Sequence, residues 1–126
     1  MPETDVVEDK KKGLKDVKVL LVDDDRSIRN LLRIALSVEE GIGEVREATD
    51  GSDALRVLDE FKPDVILLDY WMPLMDGARV APLIRKKHPD VRIVAFSGVL
   101  EERPIWADAY YTKGSLPDLG EILLGA

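Results

Sequence analysis

Hydrophobic and polar positions follow two rhythms along this chain. Nearly continuous Val, Ile and Leu runs occupy 17–22 (VKVLLV), 64–68 (DVILL) and 91–96 (VRIVAF). Such runs suit strands covered on both faces. Residues 43–48 (GEVREA) form a weaker, more polar run, which reads as an edge strand. Residues 108–112 (DAYYT) read as a fifth strand. Between the runs, apolar residues return at helical spacing. Ile28, Leu31, Leu32 and Ala35 mark a first helix; Ala54, Leu55, Leu58 and Phe61 mark a second. Val80 and Ile84 mark a third, and Leu119, Ile122 and Leu123 a last one. Asp25, Asp50 and Asp76 stand where helix N-caps are needed. Ser115 and Asp118 fit a capping box. Strands alternating with helices predict an α/β domain, an open parallel sheet with helices on both faces and right-handed crossovers. Residues 1–15 show no sustained period and read as a mobile tail ahead of one domain spanning 16–126.

Composition narrows the class. The chain has 126 residues, 34% of them charged and 45% hydrophobic, which is one soluble domain with enough apolar content for its own core. No apolar stretch is long enough to span a bilayer, and the N-terminus lacks the order of a secretory signal. The absence of Cys excludes disulfides and thiolate metal sites, and fits a reducing compartment. The expectation is a cytoplasmic protein without a membrane partner. A net charge of −7 argues against direct nucleic-acid binding, which needs cationic surface to displace counterions.

Four apolar runs end in chemically capable residues. The first is followed by Asp23, Asp24 and Asp25, the next by Asp69, then Ser97, and the last by Lys113. If the strands are parallel, all four ends open at one sheet edge, where ligands bind in such folds. Two carboxylates about 4 Å apart repel by roughly 4 kcal/mol at an effective dielectric near 20. A cation relieves that repulsion, and hard oxygen ligands with open positions suit Mg²⁺. Asp69 ends the most apolar strand, where a carboxylate can act as a nucleophile toward phosphorus. In-line phosphoryl transfer needs charge neutralisation on the equatorial oxygens. The cation, Lys113 and the Ser97 hydroxyl can supply it.

VLLVDDD, LLDYWMPLMDG, AFSG and DAYYTK, in that order, give the chain from about Val17 onward a family likeness. It resembles the receiver (phosphoacceptor) domain of bacterial two-component response regulators. The resemblance implies a flavodoxin-like, doubly wound five-stranded sheet of order 2-1-3-4-5. It implies that Asp69 is the phosphorylated aspartate, Lys113 the phosphoryl-binding lysine and Ser97 the switch hydroxyl. Tyr110 corresponds to the switch aromatic. Asp23 and Asp24 correspond to the acidic pair, with Asp24 preferred as direct ligand, and the Trp71 carbonyl is implied as a further metal ligand. The implied cofactor is Mg²⁺, for which Mn²⁺ can substitute. The implied partner is a sensor histidine kinase or phosphotransfer protein. His88, the single histidine, lies in KKHPD and reads as a surface residue at a helix end, so the donor histidine belongs to another chain. Output then passes to an unknown downstream protein or to a part outside this chain. Such a chain is no enzyme beyond catalysing its own phosphoryl transfer and dephosphorylation.

The chain also departs from the receiver pattern. Ser97 and Lys113 are sixteen positions apart, fewer than receivers usually have, and Pro104 interrupts the segment. The fourth helix is therefore expected to be missing or reduced to one turn, which puts dimerisation through the usual output face in doubt. Trp106 is expected to fill the space that the helix leaves. Gly114 replaces the usual proline after Lys113, so a cis peptide is not expected there. Pro82 inside the third helical pattern predicts a kink or a late helix start. Three other functions compete. One is a pseudo-receiver that binds partners without phosphate control. Another is a Mg²⁺-dependent aspartyl-phosphate phosphohydrolase, which would want a second aspartate where Trp71 stands. A flavodoxin would need a Ser/Thr/Gly-rich phosphate loop where the three aspartates stand. Trp71 is bulky for its place beside the phosphoacceptor, and our hypothesis is that it shields the acyl phosphate from water. Replacing it (Trp71→Asn) should shorten the phosphoryl lifetime measured by intact mass over time; an unchanged lifetime refutes the shielding role.

Overall fold

The computed structural model describes residues 16–70, 72, 76–98 and 102–112. Its elements run β1 (Val17–Val22), α1 (Arg26–Ser37), β2 (Ile42–Ala48), α2 (Gly51–Val57), β3 (Val65–Asp69), α3 (Gly77–Lys87), β4 (Arg92–Ser97) and β5 (Ala109–Thr112). All strand pairs are parallel, in the order β2-β1-β3-β4-β5. This is the flavodoxin-like sheet, with its order reversing between β1 and β3. The weak, polar β2 and the short β5 lie at the two edges, where half-exposed strands belong.

Side chains of the central strands alternate between two cores. Leu20, Val22, Ile66, Leu68 and Ile93 pack with Ala54, Val57 and Leu58 of the α2 segment and with Val80, Ala81 and Ile84 of α3. Val19, Leu21, Val65, Leu67, Val94, Phe96 and Tyr111 face the other way, against Leu32 and Leu36 of α1. Burial on both faces explains why these strands need continuous apolar runs. The helix starts follow from local chemistry. The Asp25 carboxylate accepts from the Ser27 and Ile28 amides, Asp50 from Asp53 and Asp76 from Arg79, all orphan donors of a first turn. Gly41, at φ 90°, makes the left-handed turn into β2.

Two helix expectations are corrected. Leu31 is exposed, and Leu36 takes its place on the buried stripe of α1. The third helix does not start late; it runs from Gly77, capped by Asp76, and includes Pro82. Pro82 and Ala78 both lie on the exposed side, so water can hydrate the carbonyl that proline leaves without a donor. His88 is the C-cap of α3, and its Nε2 lies 3.1 Å from the Leu58 carbonyl.

Among the described residues between β4 and β5 there is no helix; residues 102–108 form a turn centred on Ile105 and Trp106. The Ala107 amide donates to the Pro104 carbonyl at 3.1 Å, and Arg103 Nη1 donates to the Ala107 carbonyl at 2.6 Å. Arg85 Nη2, reaching from α3, donates at 3.0 Å to both the Trp106 carbonyl and Asp108 Oδ2. Trp106 packs against the core shared by α2 and α3, as expected of a filler. Its indole lies so close to the start of α3 that a Cβ at Gly77 would meet Cη2 at 2.6 Å and Cζ2 at 2.8 Å. The tail at 1–15, the last helix with its capping box, Trp71, Lys113 and Gly114 lie outside the described residues.

Asp108 fastens the loop to the sheet, for its carboxylate accepts from the Ile93 amide at 2.8 Å while its own amide donates to the Ile93 carbonyl. Burial alone would raise its pKa. The Ile93 amide and the Arg85 guanidinium outweigh that and hold it below the ordinary value of 3.8. A depressed carboxylate stabilises the fold fully above its unfolded pKa, and that contribution fades as pH falls through the folded pKa. The stability difference between wild type and Asp108→Asn should therefore stay constant above about pH 5 and narrow below about pH 4. Urea midpoints across this range measure it; a difference independent of pH would show that Asp108 holds no depressed charge.

Candidate functional site

The order reversal puts the loops after β1 and β3 side by side at the C-terminal sheet edge, where a crevice forms in open α/β sheets. Asp23 leaves β1 and is fully buried; its amide donates to the Ala48 carbonyl at 3.2 Å. Its Oδ1 accepts from the Asp25 amide at 2.9 Å, which curls the chain directly into the α1 cap. Asp24, the next residue, is exposed. Asp69 is the last residue of β3, paired with Phe96 and only 4% exposed. The amide of the next residue, Tyr70, donates to the Phe96 carbonyl at 3.0 Å and fixes the strand end. One carboxylate oxygen from each of Asp23, Asp24 and Asp69 lies within 4.8 Å of the others. Oxygen-only donors at that separation, two of them on buried residues, suit a hard divalent cation.

The other expected residues divide into two groups. Ser97 ends β4, is buried, and pairs with Thr112 at the end of β5. It thus stands on the strand next to Asp69, at the same edge. Tyr110 pairs with Ala95, short of that edge, and is 38% exposed. Lys113 and Trp71, expected beside the phosphoacceptor, are outside the described residues.

Two residues around the site were not singled out in the sequence. Arg29 donates from Nη1 to the Asp23 carbonyl at 2.7 Å and from Nε to Glu47 Oε1 at 2.8 Å. Glu47 also receives Arg33 Nε at 2.7 Å. Burial pushes the Glu47 pKa up, but the hydrogen bonds and charges of Arg33 and Arg29 prevail and hold it below the usual carboxylate range. A signal was available: Arg29 shares a helix face with Leu32 and Leu36, and a charge within a buried stripe needs a partner. Trp106 lies near Tyr70, the residue after Asp69. Its ring centroid is 5.9 Å from that of Tyr70, and the Gly77 position that it covers also faces the Asp69 carbonyl.

Fold and site together define a flavodoxin-like α/β domain with a carboxylate cluster at the sheet's switch point. The chain belongs to the response regulator receiver domain family, whose profile matches residues 19–110. It is similar to the response regulator protein VraR of Staphylococcus epidermidis, 36% identical over 103 residues, which is 77% of this chain and 49% of VraR. The chain therefore spans about half the length of the curated relatives it matches. The signal receiver domain of the response regulator NarL from Mycobacterium tuberculosis superposes with a TM-score of 0.77 at 32% identity, covering 88% of this chain and 95% of that one. The response regulator TrrA from Thermotoga maritima, solved in complex with Mg(2+)-BeF, gives a TM-score of 0.76 at 33% identity, covering 86% and 97%.

Charged carboxylates this close repel one another when no cation lies between them. Asp69→Asn should raise thermal stability in metal-free buffer by about 1 kcal/mol, or about 4 °C in Tm. Thermal melts by circular dichroism test this, and a lower Tm in the variant would contradict mutual repulsion.

Proposed function

We propose that this chain is a phosphorylation-controlled signalling switch. It accepts a phosphoryl group on Asp69 from a histidine kinase or phosphotransfer protein, with Mg²⁺ as cofactor. The observation that carries the reading is the approach of Asp23, Asp24 and Asp69 oxygens within 4.8 Å at one sheet edge of a receiver fold. The Mg(2+)-BeF complex of TrrA supports the choice of metal. Asp23, Asp24 and Asp69, with the Trp71 carbonyl as a further ligand, would hold the cation. When bound, it neutralises charge on the phosphoryl oxygens.

The remaining steps belong to the protein. An Asp69 carboxylate oxygen attacks phosphorus; the P–N bond of the donor phosphohistidine breaks, and the imidazole leaves with the electron pair and takes up a proton. Lys113 offsets charge on one phosphoryl oxygen, and the Ser97 hydroxyl donates to another. Phosphorylation then shifts an existing equilibrium, with Ser97 moving toward the phosphoryl group and Tyr110 turning inward. The exposed position of Tyr110 supports an unphosphorylated starting state. Signal output goes to a downstream protein. The net charge of −7 speaks against direct nucleic-acid contact. Among the described residues no helix is long and apolar enough to cross a membrane, and we place the module in the cytoplasm.

The helix-free stretch at 102–108 favours a second reading, a pseudo-receiver that binds partners without phosphate control. Incubation with Mg²⁺ and a small acyl phosphate, followed by intact mass, separates the two. A single phosphoryl adduct in wild type, lost in Asp69→Asn and without Mg²⁺, is the expected result. No adduct in wild type would leave the pseudo-receiver, and turnover of phosphate esters would point to a hydrolase.

A further inference from the structure

The arginine beside the acidic pocket has a role that its charge alone does not explain. Arg29 is 11% exposed, so its bonds are shielded from water and strong. One of them holds the Asp23 carbonyl and another holds Glu47 on β2. The Asp23 amide is meanwhile held by the carbonyl of Ala48, the residue after Glu47. Both main-chain groups of Asp23 are thus tied to the end of one strand, and its carboxylate is tied to the Asp25 amide. The main chain carrying the acidic pair is fixed at three points.

A guanidinium next to a cation site would by itself repel the cation. Glu47 supplies the opposite charge. Arg33 uses the same glutamate, but it is 46% exposed and donates to the Val45 carbonyl instead of Asp23. We infer that Arg29 and Glu47 form a charge-balanced strut that positions Asp23 and Asp24 for divalent-cation binding. This rests on the metal reading above. Arg29 is a positioning residue, acting through the Asp23 main chain.

The sign of one effect decides between strut and charge. If Arg29 acted as a charge in the pocket, its removal would tighten cation binding. If it acts as a strut, removal loosens binding although a repelling charge has gone. The experiment is Mg²⁺ titration of the full chain by isothermal calorimetry. Arg29→Met should weaken Mg²⁺ about tenfold, and Arg33→Met should change it less than about twofold, since outer-shell positioning of metal ligands has effects of this size. Arg29→Lys, with one donor in reach of the Asp23 carbonyl, should recover part of the loss. At saturating Mg²⁺, Arg29→Met should regain its rate of phosphorylation by acyl phosphate, the half-saturating Mg²⁺ concentration alone being raised. Glu47→Gln provides a second arm if Arg29→Met does not fold. It leaves Arg29 unbalanced, so it should weaken Mg²⁺ most at low ionic strength and less as salt screens the charge. Unchanged or tighter Mg²⁺ binding in Arg29→Met, an equal loss in Arg33→Met, or unchanged binding in Glu47→Gln would overturn the strut. Absence of Mg²⁺ binding in wild type would overturn the metal reading itself, and the strut with it.

Discussion

Like charges crowded at one strand edge are the constraint around which this molecule is organised. Asp23 and Asp69 are buried, and Asp24 brings a third carboxylate within 4.8 Å. Such a cluster is unfavourable in water-poor surroundings, so the backbone beneath it must be held by other means. Parallel strands fixed by two apolar cores deliver the carboxylates to one edge. Amide donors then pin the chain just after Asp23 and Asp69: Asp25 to the Asp23 carboxylate, Tyr70 to the Phe96 carbonyl. The site is thus a crowded set of carboxylates carried on strand ends that the hydrophobic cores hold in place.

Most of the sheet was legible in the amino-acid order. Strands covered on both faces leave continuous Val, Ile and Leu runs, and each of the three described helices starts at an aspartate whose side chain satisfies orphan amides. The acids of the site were legible as well, because parallel strands place their ends together. What stayed hidden had physical reasons. Helical spacing alone does not decide between Leu31 and Leu36, as both lie near the edge of the stripe; only packing against β1 and its neighbours settles it. Pro82 was read as a kink or a late helix start, but it lies on the exposed side, where water can hydrate the carbonyl left without a donor. Arg29 escaped notice because a search for apolar periods passes over a charge within them.

The stretch between β4 and β5 shows how a receiver fold can close without a helix in residues 102–108. A helix satisfies its own backbone; this loop borrows donors from side chains instead. Arg85 and Arg103 serve the carbonyls of Trp106 and Ala107, and Asp108 takes the Ile93 amide. The indole supplies the apolar cover. Fewer residues do the same closing work, but the loop depends on guanidinium contacts from α3 and from within itself. Any partner that reads this side of the domain meets an irregular surface led by the fully exposed Ile105.

The contact between Trp106 and Gly77 has a historical implication. A Cβ at position 77 would overlap the indole and press toward the Asp69 carbonyl at 3.2 Å. A larger residue at 77 therefore goes together with a shift of the indole or a smaller residue at 106. Change at the helix start is thereby coupled to a position almost thirty residues downstream.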